Sequence, residues 1–146
     1  MEELKKLYPD TKYVGLFNYR RFFAFDEQQF LSSIITKLEE AIMYYKINAA
    51  KVIKILESGK VILMKPLTFP YTVAAQYCMC CISGDYRAVK EIIRDKFSDY
   101  YDAFIDVMER NNKLHVCNMF VMKWEDFEKY CEWLFTVLEA LDNKIP

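Results

Sequence analysis

Polar side chains lie at the carboxyl ends or junctions of three apolar segments of the sequence that would form buried strands. They are Tyr19, Arg20, Arg21, Lys65 and Asn118. Ligands of open α/β sheets bind beyond the carboxyl ends of strands, so cations at these points suit a phosphate or a carboxylate. If the strands are adjacent, the cations converge on one opening that suits a diphosphate. The structural alternative is that one of the two arginines, Arg20 or Arg21, extends into solvent and the other pairs with an acidic residue such as Asp26.

Other catalytic and cofactor-binding patterns are missing from the sequence. The three glycines form neither a G-x-G-x-x-G motif nor a Walker-type loop. Strand alternation would point His115, the one histidine, away from Asn118, which favours a structural role for it. No Asp-x-Asp pair follows a strand. A divalent metal is therefore not supported, and no cofactor is predicted.

The cysteines indicate a reducing environment. Their positions are Cys78, Cys80, Cys81, Cys117 and Cys131. The number is odd, and the clustered cysteines have neither a matching second pair nor a histidine at short spacing. We therefore expect free, buried thiols rather than disulfides or a zinc site.

Composition predicts one domain over residues 1–146. A chain of 146 residues with 53% hydrophobic residues can bury a single core. Its net charge of -1 gives no electrostatic basis for binding nucleic acid or an anionic membrane. The first residues are charged and no segment is long enough to span a membrane, which predicts a cytoplasmic protein. Work at the inner face of the membrane, through a partner or a lipid-linked substrate, stays open.

The periodicity of apolar residues predicts strands separated by helices. We expect strands over 13–17, 61–64 and 114–122, and helices over 26–45, 49–56, 73–82, 86–96, 99–110 and 127–141. Residues 67–72 are expected to form a loop. Helical connections imply an α/β fold with a small, mostly parallel or mixed sheet flanked by helices. Three strands are few for such a sheet. Either the sequence pattern misses some strands, or a partner chain completes the sheet, or the chain is part of a larger fold.

Several motifs together resemble a bacterial family. They are Val14–Phe23, Val61–Pro66, Gln76-Tyr77, Asn118–Met122 and Tyr130–Phe135. These segments are similar to a family of capsular and exopolysaccharide biosynthesis, known as a domain of unknown function or as a glycosyltransferase. The resemblance implies a GT-A-like nucleotide-sugar fold, here truncated because members carry further N-terminal strands. It also implies a nucleotide-sugar donor and a glycan or lipid-linked acceptor as partners.

The resemblance implies roles for the polar residues. Arg20, Arg21 and Lys65 would neutralise the charge that develops on the departing nucleoside diphosphate. Tyr19 and Asn118 would hydrogen-bond the sugar or the nucleotide.

Asp85 would contact a hydroxyl group or act as a base, although capping of the following helix explains it equally. The chain also departs from the family pattern. Asn18 stands in place of a histidine, Lys60 in place of an aspartate, and Cys80, Cys81 and Ile82 in place of histidines. These departures leave open an alternative: the protein is a catalytically inactive relative that acts as a binding or partner subunit. Its partner would be a second copy of the chain or another glycosyltransferase.

Overall fold

The computed structural model describes residues 2–18, 23 and 49–144. Its elements in chain order are α1 (Glu2–Leu7), β1 (Tyr13–Leu16), α2 (Ala49–Glu57), β2 (Ile62–Leu63), β3 (Leu67–Thr68), α3 (Val73–Cys80), α4 (Ser83–Lys96), α5 (Ser98–Glu109), β4 (Lys113–Leu114), β5 (Phe120–Lys123) and α6 (Trp124–Asp142). They form two compact units, residues 1–64 with 116–127 and residues 65–115 with 128–146. The helix predicted over 26–45 lies outside the described residues. The α/β class is confirmed.

The first unit contains a three-stranded sheet in the order β1-β5-β2. The central strand, β5, is antiparallel to both neighbours, with Leu16 and Leu63 both opposite Phe120. Phe120, Val121 and Met122 are all buried. Because successive side chains of a strand point to opposite faces, both faces of β5 are covered.

The strand directions correct the prediction of a mostly parallel or mixed sheet. Every strand pair in the described part of the chain is antiparallel. Since β1 and β2 each run opposite to β5, they run in the same direction, as strands joined through a helix can. The prediction failed because β5, which comes from much later in the sequence, lies between them.

One face of this sheet packs against α2. Leu56 on α2 is 1% exposed and clusters with Phe23, Met119 and Val121. The edges of the cluster are covered by half-buried apolar residues, among them Tyr13 and Val52. Leu56 is therefore the buried side chain through which α2 packs against the sheet.

The second unit is mainly helical. Its core consists of Ile92 and Ile93 from α4 and Val137 from α6. Apolar residues of α4, α5 and α6 pack around it, including Phe104, Trp133 and Leu141. Their spacing of three and four residues is the helical periodicity predicted from the sequence.

Helices α4 and α5 are also linked by polar contacts at their edge. The Tyr86 hydroxyl donates a hydrogen bond to Glu109 at 2.8 Å, and the Lys90 ammonium pairs with the same carboxylate. These donors hold the pKa of Glu109 below its ordinary value, with the bond from Lys90 the larger cause. The carboxylate therefore stays ionised at neutral pH.

The prediction of a loop over residues 67–72 is only partly correct. Leu67 and Thr68 form β3, which pairs with β4. The pairing is extended by a backbone hydrogen bond of 2.9 Å from the Phe69 N–H to the Asn112 carbonyl, and by the Asn112 side chain, which donates to the Phe69 carbonyl at 2.8 Å. The Asn111 side chain accepts from the N–H groups of Asn112 and Lys113, forming the turn predicted before the strand.

The strand predicted over 114–122 is interrupted. β4 ends at Leu114, and β5 begins at Phe120. Between them Cys117 and Asn118 have φ values of 72° and 47°, in the left-handed region. No strand continues through such residues, so the apolar run supplies one strand to each unit.

Three of the cysteines are not buried, which corrects a second prediction. Cys78, Cys80 and Cys81 are exposed at the end of α3, Cys117 is half-buried and Cys131 is buried. All five cysteines of the chain lie in its described part, and none of them forms a disulfide there. Among the described helices, none combines the length and the apolar character that a membrane span requires.

Helix α2 ends as predicted, at a glycine in the left-handed conformation. Gly59 has φ +76°, and its N–H donates to the Leu56 carbonyl at 3.0 Å. A Cβ added at this position would meet nothing within 4 Å. The requirement for glycine is therefore conformational rather than steric.

We expect Gly59→Ala to lower the free energy of unfolding by about 1 kcal/mol, because alanine is strained at positive φ. Urea denaturation measures the change. Gly84→Ala is the matched control, since Gly84 lies in the first turn of α4 and its added Cβ would meet only the Ile82 side chain, at 3.7 Å. That variant should be as stable as the parent or more stable. Equal destabilisation by both substitutions would contradict the conformational explanation.

Candidate functional site

The predicted site residues fall in different parts of the structure. Tyr19, Arg20 and Arg21 lie outside the described residues. Asn118 belongs to the first unit, whereas Lys65 and Asp85 belong to the second. The proximity predicted for the cations thus stays a prediction.

One end of the three-stranded sheet is flanked by Asn18 and Asn118. Leu16 and Leu63 are the last residues of β1 and β2, and both lie opposite Phe120, the first residue of β5. Asn18 follows β1 by two residues, and Asn118 precedes β5 by two. The structure joins these segments through a long hydrogen bond of 3.5 Å from the Asn18 side chain to the Cys117 carbonyl.

Asn118 owes its position to its backbone conformation. At φ 47° it lies in the left-handed region, which asparagine adopts more readily than most residues. The sequence had suggested that Asn118 lies in a buried strand, but the residue is exposed. The alternation argument that separated His115 from Asn118 therefore does not apply, because no continuous strand joins them.

Lys65 follows β2 by two residues and is the first residue of the second unit. It is exposed. A cation after the carboxyl end of a strand is the arrangement that the sequence predicted for this residue.

Asp85 lies within α4 rather than before it. The helix begins at Ser83, with Ile82 at the N-cap position and no side-chain capping bond. The prediction that Asp85 caps this helix is therefore wrong. A carboxylate in the first turn is favoured by the helix dipole. Its charge also helps to raise the pKa of Tyr77, although burial is the largest cause.

Sequence reasoning missed a polar cleft at the opposite end of the same sheet. It has a volume of about 540 Å³ and lies where Tyr13 begins β1 and Lys123 ends β5. We call it the Tyr13–Lys123 cleft; Lys5, Glu57 and Trp124 also line it. These residues are far apart in the sequence, and each has an ordinary type, so no motif could have indicated the cleft.

Glu57 is the centre of the polar network in this cleft. Its carboxylate accepts a hydrogen bond of 2.6 Å from the Tyr13 hydroxyl and one of 3.2 Å from the Lys123 ammonium. Both bonds hold the pKa of Glu57 below its ordinary value, the bond from Tyr13 being the larger cause. The pKa of Tyr13 is raised by the same bond. The cleft therefore presents an ionised carboxylate in a fixed orientation.

Trp124 and Lys5 form the adjoining wall. The Lys5 ammonium lies 4.6 Å from the centre of the Trp124 ring and donates to the Thr11 carbonyl at 3.2 Å. The Trp124 backbone N–H donates to the Lys12 carbonyl at 2.8 Å. The indole Nε1 of Trp124 is buried and has no acceptor among the described residues. The N-terminal segment is thus attached to the first turn of α6.

Within the described ranges, no cluster of three or more His, Cys, Asp or Glu side chains could hold a metal ion.

We expect Asn118→Gly to be more stable than Asn118→Ala by about 1 kcal/mol, because only glycine adopts positive φ without strain. Both variants lack the side-chain amide, so the comparison isolates the backbone. Urea denaturation of the pair measures the difference. Equal stability would contradict the left-handed conformation at this position.

We expect Glu57 to make the stability of the protein depend on pH at the acid side. Since the folded-state pKa lies below the ordinary 4.5, the ionised carboxylate stabilises the fold above that value, and this contribution is lost as pH falls through the folded-state pKa. The stability difference between the parent and Glu57→Gln should shrink as the pH falls below about 5. Denaturation midpoints across this range measure it, with Glu128→Gln as a surface control. A constant difference would contradict the network.

Comparison with known proteins gives one family and one solved structure. The family described as Domain of unknown function (DUF4422) matches residues 4–146. The solved structure is the apo form of WbbM, a bifunctional glycosyltransferase, with a TM-score of 0.77, 26% sequence identity and 93% of this chain covered. This chain spans 26% of the length of that one. No curated protein matches the sequence.

The family match covers nearly the whole chain, and the structural match covers 93% of it. Both agree with the resemblance found in the sequence motifs. The chain belongs to the DUF4422 family of domains of unknown function.

Proposed function

We propose that the protein is a glycosyltransferase-like domain that transfers a sugar from a nucleotide-sugar donor to a glycan acceptor in surface polysaccharide biosynthesis. One observation carries the proposal. The fold matches part of a bifunctional glycosyltransferase over 93% of this chain, at a TM-score of 0.77. A match of this extent concerns a whole fold rather than a single shared motif.

The donor site in this proposal is at the end of the sheet that carries Asn18 and Asn118. Arg20 and Arg21 follow β1, whose last residue lies beside the first residue of β5. Two guanidinium groups can bind a diphosphate through paired hydrogen bonds and stay charged at any physiological pH. Lys65, which follows β2, adds a third cation. Together they would stabilise the negative charge that builds on the leaving nucleoside diphosphate.

The remaining predicted residues have orienting or proton-transfer roles in the proposal. Tyr19 and Asn118 would hydrogen-bond the sugar or the nucleotide through a hydroxyl and an amide. Asp85 would contact an acceptor hydroxyl or take its proton. Asp85 also suits the first turn of a helix on electrostatic grounds, which is compatible with this role.

A second candidate function is a catalytically inactive binding or partner subunit. The chain spans 26% of the length of the glycosyltransferase that it matches, so the activity of that protein can depend on regions outside the matched part. The substitutions at Asn18, Cys80 and Cys81, relative to the pattern of the resembling family, favour the same candidate. Binding of the donor without turnover would distinguish it from the enzyme.

The test combines donor binding with turnover. Calorimetry with UDP- and GDP-linked sugars measures binding, and release of the nucleoside diphosphate in the presence of an oligosaccharide acceptor measures transfer. Arg20→Ala and Arg21→Ala should each weaken donor binding at least about tenfold, since each removes a charge-assisted hydrogen bond. Arg87→Ala, at an exposed position on α4, is the matched control and should bind as the parent does.

The outcomes separate the two candidates. Binding that depends on Arg20 and Arg21 together with diphosphate release supports the enzyme, and binding without release supports the inactive relative. Equal binding by the Arg20, Arg21 and Arg87 variants would contradict the proposed donor site.

A further inference from the structure

We infer that the Tyr13–Lys123 cleft is a binding site for a neutral oligosaccharide, separate from the proposed donor site. Its volume of about 540 Å³ lies within the range of small-ligand sites, about 300 to 1,000 Å³. It lies at the other end of β1 and β5 from Asn18 and Asn118. Four residues of a strand span about 10 Å from first to last, so the two ends are separate places on one rigid sheet.

The charges of the cleft indicate a ligand without net charge. Its lining contains three lysines and three carboxylates, Lys5, Lys12, Lys123, Asp10, Glu57 and Glu125. Their formal charges sum to zero. Lys123 already pairs with Glu57, and Lys5 lies over Trp124. A diphosphate would meet carboxylates without an excess of cations, whereas a polyhydroxylated ligand can use both kinds of group.

The hydrogen-bonding groups of the cleft are fixed before any ligand arrives. Glu57 is held by Tyr13 and Lys123, and Lys5 by the Thr11 carbonyl. Sugar hydroxyls both donate and accept, so neighbouring hydroxyls can bind to a carboxylate and an ammonium placed side by side. Because these side chains are already oriented, little conformational entropy is lost on binding.

Apolar surface completes the cleft. The ring of Pro9 lines it beside the polar groups; Trp124 also lines it, but it is only 7% exposed and the Lys5 ammonium lies over its ring. The C–H faces of sugar rings pack against such surfaces. The lining therefore fits an oligosaccharide better than an ion or a nucleotide phosphate.

This inference rests on the proposed function, in which the cleft holds a segment of the glycan acceptor away from its reacting end, because the reacting hydroxyl must reach the donor. Binding to the cleft can be measured without a donor, and the two can therefore fail separately. If neutral oligosaccharide fails to bind while the donor binds and turns over, the cleft inference is wrong and the function stands. If the oligosaccharide binds but no sugar is transferred, the cleft inference stands and the proposed function is wrong.

The experiment is an NMR titration of the whole chain with neutral tetrasaccharides of glucose, galactose, mannose and rhamnose, with inorganic pyrophosphate as the charged probe. The chain has two tryptophans, one in each unit. The indole N–H signal of Trp124 reports on the cleft, and that of Trp133, in the core of the second unit, is an internal control. Trp133→Phe assigns the two signals.

We expect at least one tetrasaccharide to shift the Trp124 signal and leave the Trp133 signal in place. Tyr13→Phe keeps the ring and loses the hydroxyl, and Glu57→Gln keeps the shape and loses the charge. Each should weaken binding about tenfold. Glu91→Gln is the matched control, since it removes a similar exposed carboxylate that pairs with Lys144 in the second unit.

Three results would overturn the inference. They are no shift of the Trp124 signal with any of the four tetrasaccharides, binding unchanged in both cleft variants, and a shift caused by pyrophosphate alone. Backbone spectra of each variant verify that it is folded, so a loss of binding is not confused with unfolding.

Discussion

Burial of β5 between two antiparallel neighbours is the constraint on which the first unit depends. Phe120, Val121 and Met122 are 4%, 8% and 7% exposed, and burial of such side chains contributes about 1.5 to 3 kcal/mol each. Their two-residue alternation requires apolar cover on both faces of the sheet. Leu56 supplies part of this cover, through a cluster that includes Val121. A slip of one residue in register would exchange the faces of every side chain on β5, so the register with β1 and β2 is strongly specified.

That register determines what stands at each end of the sheet. Opposite Phe120 lie the last residues of β1 and β2, and beyond them the chain carries polar side chains: Asn18 after β1 and Asn118 before β5. At the other end Tyr13 lies opposite Lys123, and Glu57 bonds to both. One short sheet thus presents two chemically different ends. The first carries the amide side chains of Asn18 and Asn118, and the second has balanced charges.

The left-handed residues Cys117 and Asn118 allow one apolar segment to serve two units. A regular strand from Leu114 to Met122 would keep all of these residues in a single sheet. Two successive residues at positive φ redirect the chain, so that β4 pairs with β3 while β5 enters the three-stranded sheet. The second unit then closes around Ile93, which is completely buried, with residues of α4, α5 and α6 around it. Asn118 is therefore a structural residue as well as a candidate ligand-binding residue.

The sequence by itself determined the α/β class, most helices, the left-handed end of α2 at Gly59 and the family, because these depend on local periodicity, local backbone preference or a motif. Only the tertiary structure decided the strand directions, the pairing of Leu67–Thr68 with Lys113–Leu114, and the exposure of Cys78, Cys80 and Cys81. Tertiary structure also formed the network of Tyr13, Glu57 and Lys123. The physical reason is that pairing and burial depend on residues distant in the chain, whose contacts leave no periodic signal within any one segment.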